Sequence, residues 1–143
     1  MKVEAVMAVK GRAVATINPS ATLATVAQRL RLENIGALVV LEGDRLAGMI
    51  SERDVVHAFA AHRGEAAEIK VADVMARNLI TCRLEDSLTR VLGLMTRHRV
   101  RHLPVLEAGR LAGLISIGDA VKHRLDELEL EASVLRDAYI AGH

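Results

Sequence analysis

The chain has 143 residues, 51% of them hydrophobic, with 19 Lys and Arg against 18 Asp and Glu for a formal net charge of +1. This balance lacks the basic footprint of a nucleic-acid binder, and Phe59 and Tyr139, its only aromatics, offer no stacking platform for single strands. The lone Cys82 excludes an internal disulfide, no run approaches the roughly 18 apolar residues of a membrane span, and MKVEAVMAVKGRAV lacks a signal-peptide apolar region, so a soluble cytoplasmic protein is expected.

Residues 1–13 read as an N-terminal segment, and residues 14–62 as strand–helix–strand–strand–helix. Residues 14–17 form a short apolar strand, and Asn18-Pro19-Ser20 a turn and helix start. Leu23, Val26, Ala27 and Leu30 share one helix face. Residues 38–41 are a buried strand, Glu42-Gly43-Asp44 a turn, and residues 46–50 a return strand. Ser51 opens a helix running to about Ala61. Residues 63–78 read as a linker with a short helix: polar from His62 to Lys70, apolar from Val71 to Met75. Residues 79–122 repeat the pattern, with strands at 79–82, 103–106 and 111–115 and a helix face of Leu88, Val91, Leu92 and Met95. The last helix starts at Ser116 and runs on through residues 123–143, to about Ile140.

The chain is written twice at an offset of 65 residues: residues 45–56 read RLAGMISERDVV and residues 110–121 read RLAGLISIGDAV. Laying residues 38–56 on 103–121 gives identity at 12 of 19 positions. Two copies predict a mixed α/β fold of two pseudo-symmetric βαββα units packed face to face. A solenoid needs at least three repeats. Such a pair makes a cleft lined by the same residues twice. The long C-terminal helix has no counterpart past about Asp126, and its Val121, Leu125, Leu128, Ala132, Leu135 and Tyr139 are spaced 4, 3, 4, 3, 4. This heptad seam reads either as a helix laid along its own core or as one pairing with its twin in a homodimer.

Gly48-Met49-Ile50-Ser51-Glu52-Arg53-Asp54 returns as Gly113-Leu114-Ile115-Ser116-Ile117-Gly118-Asp119. One reading is a capping box, Ser accepting a first-turn amide and Asp reaching back. Against it, such boxes prefer Glu or Gln, and Asp is short for the reach. The other reading is a ligand site, with an anion-friendly helix start and a carboxylate able to accept both hydroxyls of a ribose. The residues alone leave both open.

These strings, with IGALVVLEGDRLAG (35–48) and VRHLPVLEAGRLAG (100–113), resemble a tandem pair of CBS motifs, the Bateman module, over about three quarters of the chain. The C-terminal extension is similar to that of small stand-alone bacterial CBS-pair proteins. The resemblance implies an energy-sensing regulatory module that binds adenosyl ligands (AMP, ADP, ATP, NAD(H) or S-adenosylmethionine) between the motifs, with two modules forming a flat disc. It implies that one site uses Asp119 on the ribose, Ser116 and Gly118 near sugar or phosphate, and Leu114 on the base, with Asn18, Ile35, Gly36 and Ala37 lining the adenine pocket. The other uses Asp54, Ser51, Arg53 and Met49 with Arg83, Val100, Arg101 and His102. Gly118 departs from the family, which often has Ser or Thr before the Asp. The run Arg97-His98-Arg99-Val100-Arg101-His102 is either a solvated helix end or, at Arg101 and His102, a phosphate contact. Gly36 and Ala37 stand at those positions in the first copy, so the Arg101/His102 neighbourhood is expected to favour the more anionic ligand.

No catalytic residues, catalytic cofactor or metal are expected. His98 and His102 are four apart, but Leu103-Pro104 reads as a strand entry and no H-E-x-x-H, Walker or G-x-S-x-G pattern occurs. Cys82 reads as a small buried hydrophobe. A dimer that binds an unidentified protein partner and no nucleotide is the rival reading, with both Ser–Asp pairs serving only as caps.

Overall fold

The computed structural model describes residues 1–142. Its elements are α1 (Val3–Lys10), β1 (Thr16–Ile17), α2 (Leu23–Glu33), β2 (Ala37–Glu42), β3 (Arg45–Ser51) and α3 (Glu52–His62), then two short 3-10 turns, Arg63–Glu68 and Val71–Asp73. They continue as β4 (Cys82–Arg83), α4 (Leu88–His98), β5 (His102–Glu107), β6 (Arg110–Ser116) and α5 (Ile117–Ala141). The chain divides into two compact units. A first-repeat unit holds Ala13–Leu79 and Ala108–Leu111; a second-repeat unit holds Met1–Arg12, Ile80–Glu107 and the chain from Ala112 onward.

In the first-repeat unit the sheet order is β1-β2-β3. β1 runs parallel to β2 (Thr16↔Val39, Ile17↔Val40), and β2 pairs antiparallel with β3 from Ala37↔Ser51 to Glu42↔Arg45. A parallel pair needs a crossover, and α2 supplies it. The Thr22 hydroxyl caps α2 by accepting from the Thr25 amide, and Asn34 ends it in the left-handed region at φ 53°. The expected stripe is buried as Leu23, Val26 and Leu30, which cluster with Leu38, Val40 and Ile50 from the sheet.

The second-repeat unit repeats this plan with sheet order β4-β5-β6 and β4 parallel to β5. Ser87 caps α4, and Leu88, Val91 and Met95 cluster with Leu103, Val105 and Ile115. The two strands expected at 14–17 and 79–82 begin only at Thr16 and Cys82, and polar side chains turn the chain after them. The Asn18 Oδ1 accepts the Ser20 amide at 2.9 Å, and the Asp86 Oδ2 accepts the Arg83 amide at 2.8 Å.

Two segments carry more structure than the polar linker stretch and N-terminal segment expected of them. The polar stretch after α3 is a 3-10 turn that buries Ala66. Residues 1–13 contain α1, which belongs to the second-repeat unit. The Val3 and Glu4 amides donate to the Asp86 and Leu84 carbonyls, both at 2.9 Å, and Val3, Val6 and Met7 join that unit's core. The repeated glycine of each motif permits a close approach. A Cβ on Gly113 would sit 2.6 Å from the Met7 sulfur, and one on Gly48 would sit 2.6 Å from the Ala76 carbonyl oxygen. The thioether can move aside; the Ala76 backbone cannot without disturbing its paired bonds to Met49 at 2.9 and 3.0 Å.

Candidate functional site

Each β-hairpin ends where a helix begins, and the repeated serine is the N-cap of both α3 and α5. The Ser51 amide donates to Asp54 Oδ2 at 2.9 Å, and the Asp54 amide donates back to Ser51 Oγ at 3.4 Å. At α5 the matching distances are 2.9 Å from the Ser116 amide to Asp119 Oδ2 and 3.1 Å from the Asp119 amide to Ser116 Oγ. Both motifs are therefore complete capping boxes. This corrects the expectation that Asp is too short for the reach: the reach is made in both copies. The shorter side chain is accordingly no evidence for a ligand by itself. The stronger observation is which oxygen is used. Every hydrogen bond to these two carboxylates among the described residues falls on Oδ2, leaving Oδ1 of Asp54 and of Asp119 open.

Other expected site residues gather at the same helix starts within each unit. The Glu52 amide, first in α3, donates to the Gly36 carbonyl at 3.0 Å, and Ala37 pairs with Ser51 across the ladder. This brings Gly36, Ala37, Ser51 and Asp54 together, whereas the resemblance implies Gly36 and Ala37 for the Asp119 site and Arg101 and His102 for the Asp54 site. The Ile117 amide donates to the Arg101 carbonyl at 2.8 Å, which sets Arg101 and His102, the first residue of β5, beside Ser116 and Asp119. Ile35 and Val100 lie just before these strands and are half-buried. Met49 is buried in β3 and Leu114 half-buried in β6. Arg53 is exposed in the first turn of α3, and Arg83 is exposed in β4 with its guanidinium near Glu85 at 3.6 Å. Asn18 is occupied with its turn, its Oδ1 accepting both the Ser20 amide and hydroxyl. Gly118 is open: the nearest atom to an added Cβ would be Ser116 Oγ at 3.7 Å, so packing does not demand glycine there.

The structure adds one residue that the sequence reading omits. The Lys10 ammonium, at the end of α1, donates to Asp119 Oδ2 at 2.5 Å and to the Leu114 carbonyl at 2.8 Å. Burial works to raise the Asp119 pKa, but the hydrogen bonds from Lys10 and Ser116 outweigh it and hold the carboxyl below its ordinary value. Val3, Val6 and Met7 recur as Val71, Val74 and Met75 at an offset of 68, which makes Asn78 the counterpart of Lys10. That break in the repeat is the signal that could find it.

His98 ends α4 and His102 begins β5, so the pair does not share a helix face. No group of three His, Cys, Asp or Glu side chains suited to a metal occurs among the described residues. Cys82 is buried in the second-repeat core; desolvation, helped by the nearby Asp86 charge, pushes its thiol up to about 12. Because the thiolate is the nucleophile, iodoacetamide at pH 8 is expected to label Cys82 slowly in native protein and rapidly in denaturant. Equal rates would contradict its burial.

Two βαββα units, each closing on a Gly-x-x-Ser-x-x-Asp helix start, define a tandem repeat of one α/β fold. The family model described as CBS domain matches residues 6–61 and 71–126, together more than half the chain, and the chain belongs to that family. The mitochondrial CBS domain-containing protein CBSX3 of Arabidopsis thaliana is 39% identical over 114 residues, 76% of this chain and 55% of its own length. The CBS domain-containing protein YhcV of Bacillus subtilis is 30% identical over 112 residues, 78% of this chain and 79% of its own. This chain thus spans about half of the plant relative and most of the bacterial one. The crystal structure of a CBS-domain containing protein from Agrobacterium tumefaciens matches with a TM-score of 0.85 at 37% identity, covering 87% of this chain and 99% of that one. No helix among the described residues is long and apolar enough to cross a membrane.

Proposed function

We propose that this CBS pair is a regulatory module that binds an adenosyl ligand of the AMP, ADP, ATP, NAD(H) or S-adenosylmethionine class and works as a homodimer. The observation that carries the reading is the open Oδ1 of Asp54 and Asp119, since each capping box uses Oδ2 alone. A carboxylate that keeps one oxygen for its helix can turn the other to a ribose diol. The neighbouring amides and the positive end of the helix dipole suit a phosphate. Gly36 and Ala37 are proposed as adenine-wall residues, and Arg101 and His102 as phosphate residues. Binding would shift the population of pair or dimer geometries, with output through a protein partner or through a change in assembly.

The test is a thermal-shift screen of the six ligands AMP, ADP, ATP, NAD+, NADH and S-adenosylmethionine on wild type, Asp54→Asn and Asp119→Asn. Asn keeps an oxygen for the cap and removes the charge. A ligand at about 100 times its dissociation constant adds about 2.7 kcal/mol, a rise of several degrees. The rise is expected to shrink in the Asn variants while their unliganded melts stay cooperative. No rise with any ligand at millimolar concentration would favour the second reading, a partner-binding dimer without nucleotide. The two complete capping boxes already give that reading a structural role for both Ser–Asp pairs.

A further inference from the structure

The two repeated carboxylates differ in one neighbour. α1 turns Val6 and Met7 into the second-repeat core, and Lys10, one turn beyond them, emerges on the same face. Its ammonium bonds Asp119 Oδ2 at 2.5 Å, on the same oxygen that accepts the Ser116 amide at 2.9 Å. Asp54 Oδ2 takes only the Ser51 amide and hydroxyl, and no lysine or arginine pairs with Asp54 among the described residues. The Lys10 and Asp119 side chains are 34% and 25% exposed, so the pair is within reach of a ligand and of water.

Asp119 Oδ1 can accept one hydroxyl of a vicinal diol, and Oδ2, while still accepting the Ser116 amide, can accept the other through its second lone pair. At Asp119 that requires the ammonium to release Oδ2. A neutral adenosyl ligand offers the released ammonium nothing but water. A phosphorylated one offers a second anion, and the lysine side chain, a point charge with three donors on a flexible stem, can follow it. Resting on the reading that Asp119 takes the ribose, we propose that Lys10 sets the specificity of this helix start: it exchanges the Asp119 carboxylate for the ligand's phosphate, so that tight binding there requires a phosphorylated adenosyl ligand. The Asp54 helix start has no such lysine.

Calorimetric titration with adenosine and AMP tests this in an Asp54→Asn background, which leaves Asp119 as the only intact carboxylate. The comparison is with Asp54→Asn/Lys10→Met. Partly exposed ion pairs contribute up to about fivefold in an equilibrium. Removing the lysine is therefore expected to tighten adenosine by up to about fivefold and weaken AMP by a similar factor. The AMP preference would then collapse by about an order of magnitude or more, and Lys10→Arg, which keeps the cation, is expected to retain most of it. An unchanged ratio, or equal weakening of both ligands, overturns the proposal while leaving the ribose reading of Asp119 intact. Adding Asp119→Asn separates the two ideas. If adenosine and AMP then bind as before, Asp119 is not the ribose acceptor and both readings fall. Failure of the Asp54→Asn protein to bind either probe at millimolar concentration also overturns both for this helix start.

Discussion

Leu103→Ala is expected to lower the stability of the protein by about 2–5 kcal/mol. Leu103 is 0% exposed in β5 and belongs to the cluster of Leu88, Val91, Met95 and Ile115. Truncation removes buried methyl groups and leaves a cavity between α4 and the sheet, which close-packed neighbours fill only in part. Leu38, its counterpart at the offset of 65, is also 0% exposed, in a separate cluster with Leu23, Val26 and Ile50. Leu38→Ala is expected to cost a similar amount. Leu32→Ala, at a site 73% exposed in α2, is expected to stay within about 0.5 kcal/mol. Urea unfolding followed by circular dichroism reads these as shifts in midpoint at constant slope. A loss below about 1 kcal/mol at Leu103 would mean that its surroundings collapse into the space, contrary to the packing described.

The paired βαββα plan is legible in the sequence because two independent signals agree. Helical spacing at Leu23, Val26 and Leu30 recurs at Leu88, Val91 and Met95, and each stripe precedes a short apolar run ended by a turn. Local periodicity cannot report where an apolar run stops pairing. The run at 79–82 contributes only Cys82 to the ladder, which Asp86 closes after Arg83. α1 escapes for another reason. Val3, Val6 and Met7 do fall at helical spacing, but a helix of 8 residues is too short to declare itself. Its partners, the Leu84 and Asp86 carbonyls and Gly113, all lie in the second repeat.

The helix starts of the candidate site are equally legible, because capping chemistry depends on residues three apart. Spacing alone leaves cap and ligand readings equivalent, and the structure sharpens that choice only by showing which carboxylate oxygen each cap consumes. Lys10 lies beyond local reasoning: 109 residues separate it from Asp119. Chain topology, and not any motif, brings that ammonium to the carboxylate.

Leu128→Glu combined with Leu135→Glu is expected to turn the proposed homodimer into monomers at micromolar concentration. The seam residues Val121, Leu125, Leu128, Leu135 and Tyr139 are all exposed within a 25-residue helix, and from residue 129 to 141 every side chain but Ser133 is exposed. An isolated apolar helix face of this length gains little from its own unit, and heptad spacing makes it complementary to a second copy. Burying two glutamates at such a seam is worth at least about 2 kcal/mol, or about thirtyfold in the dimer dissociation constant. Glu is a good helix former, so the folded monomer should keep its helicity and its melt. Leu130→Glu provides the control. Leu130 is also exposed, but it lies about half a turn away from the seam. Sedimentation equilibrium should show a halved mass for the double variant and an unchanged mass for Leu130→Glu. If Leu130→Glu dissociates the protein as readily, the contact is not a heptad seam. If the double variant retains the wild-type mass, α5 is not the dimer contact at all.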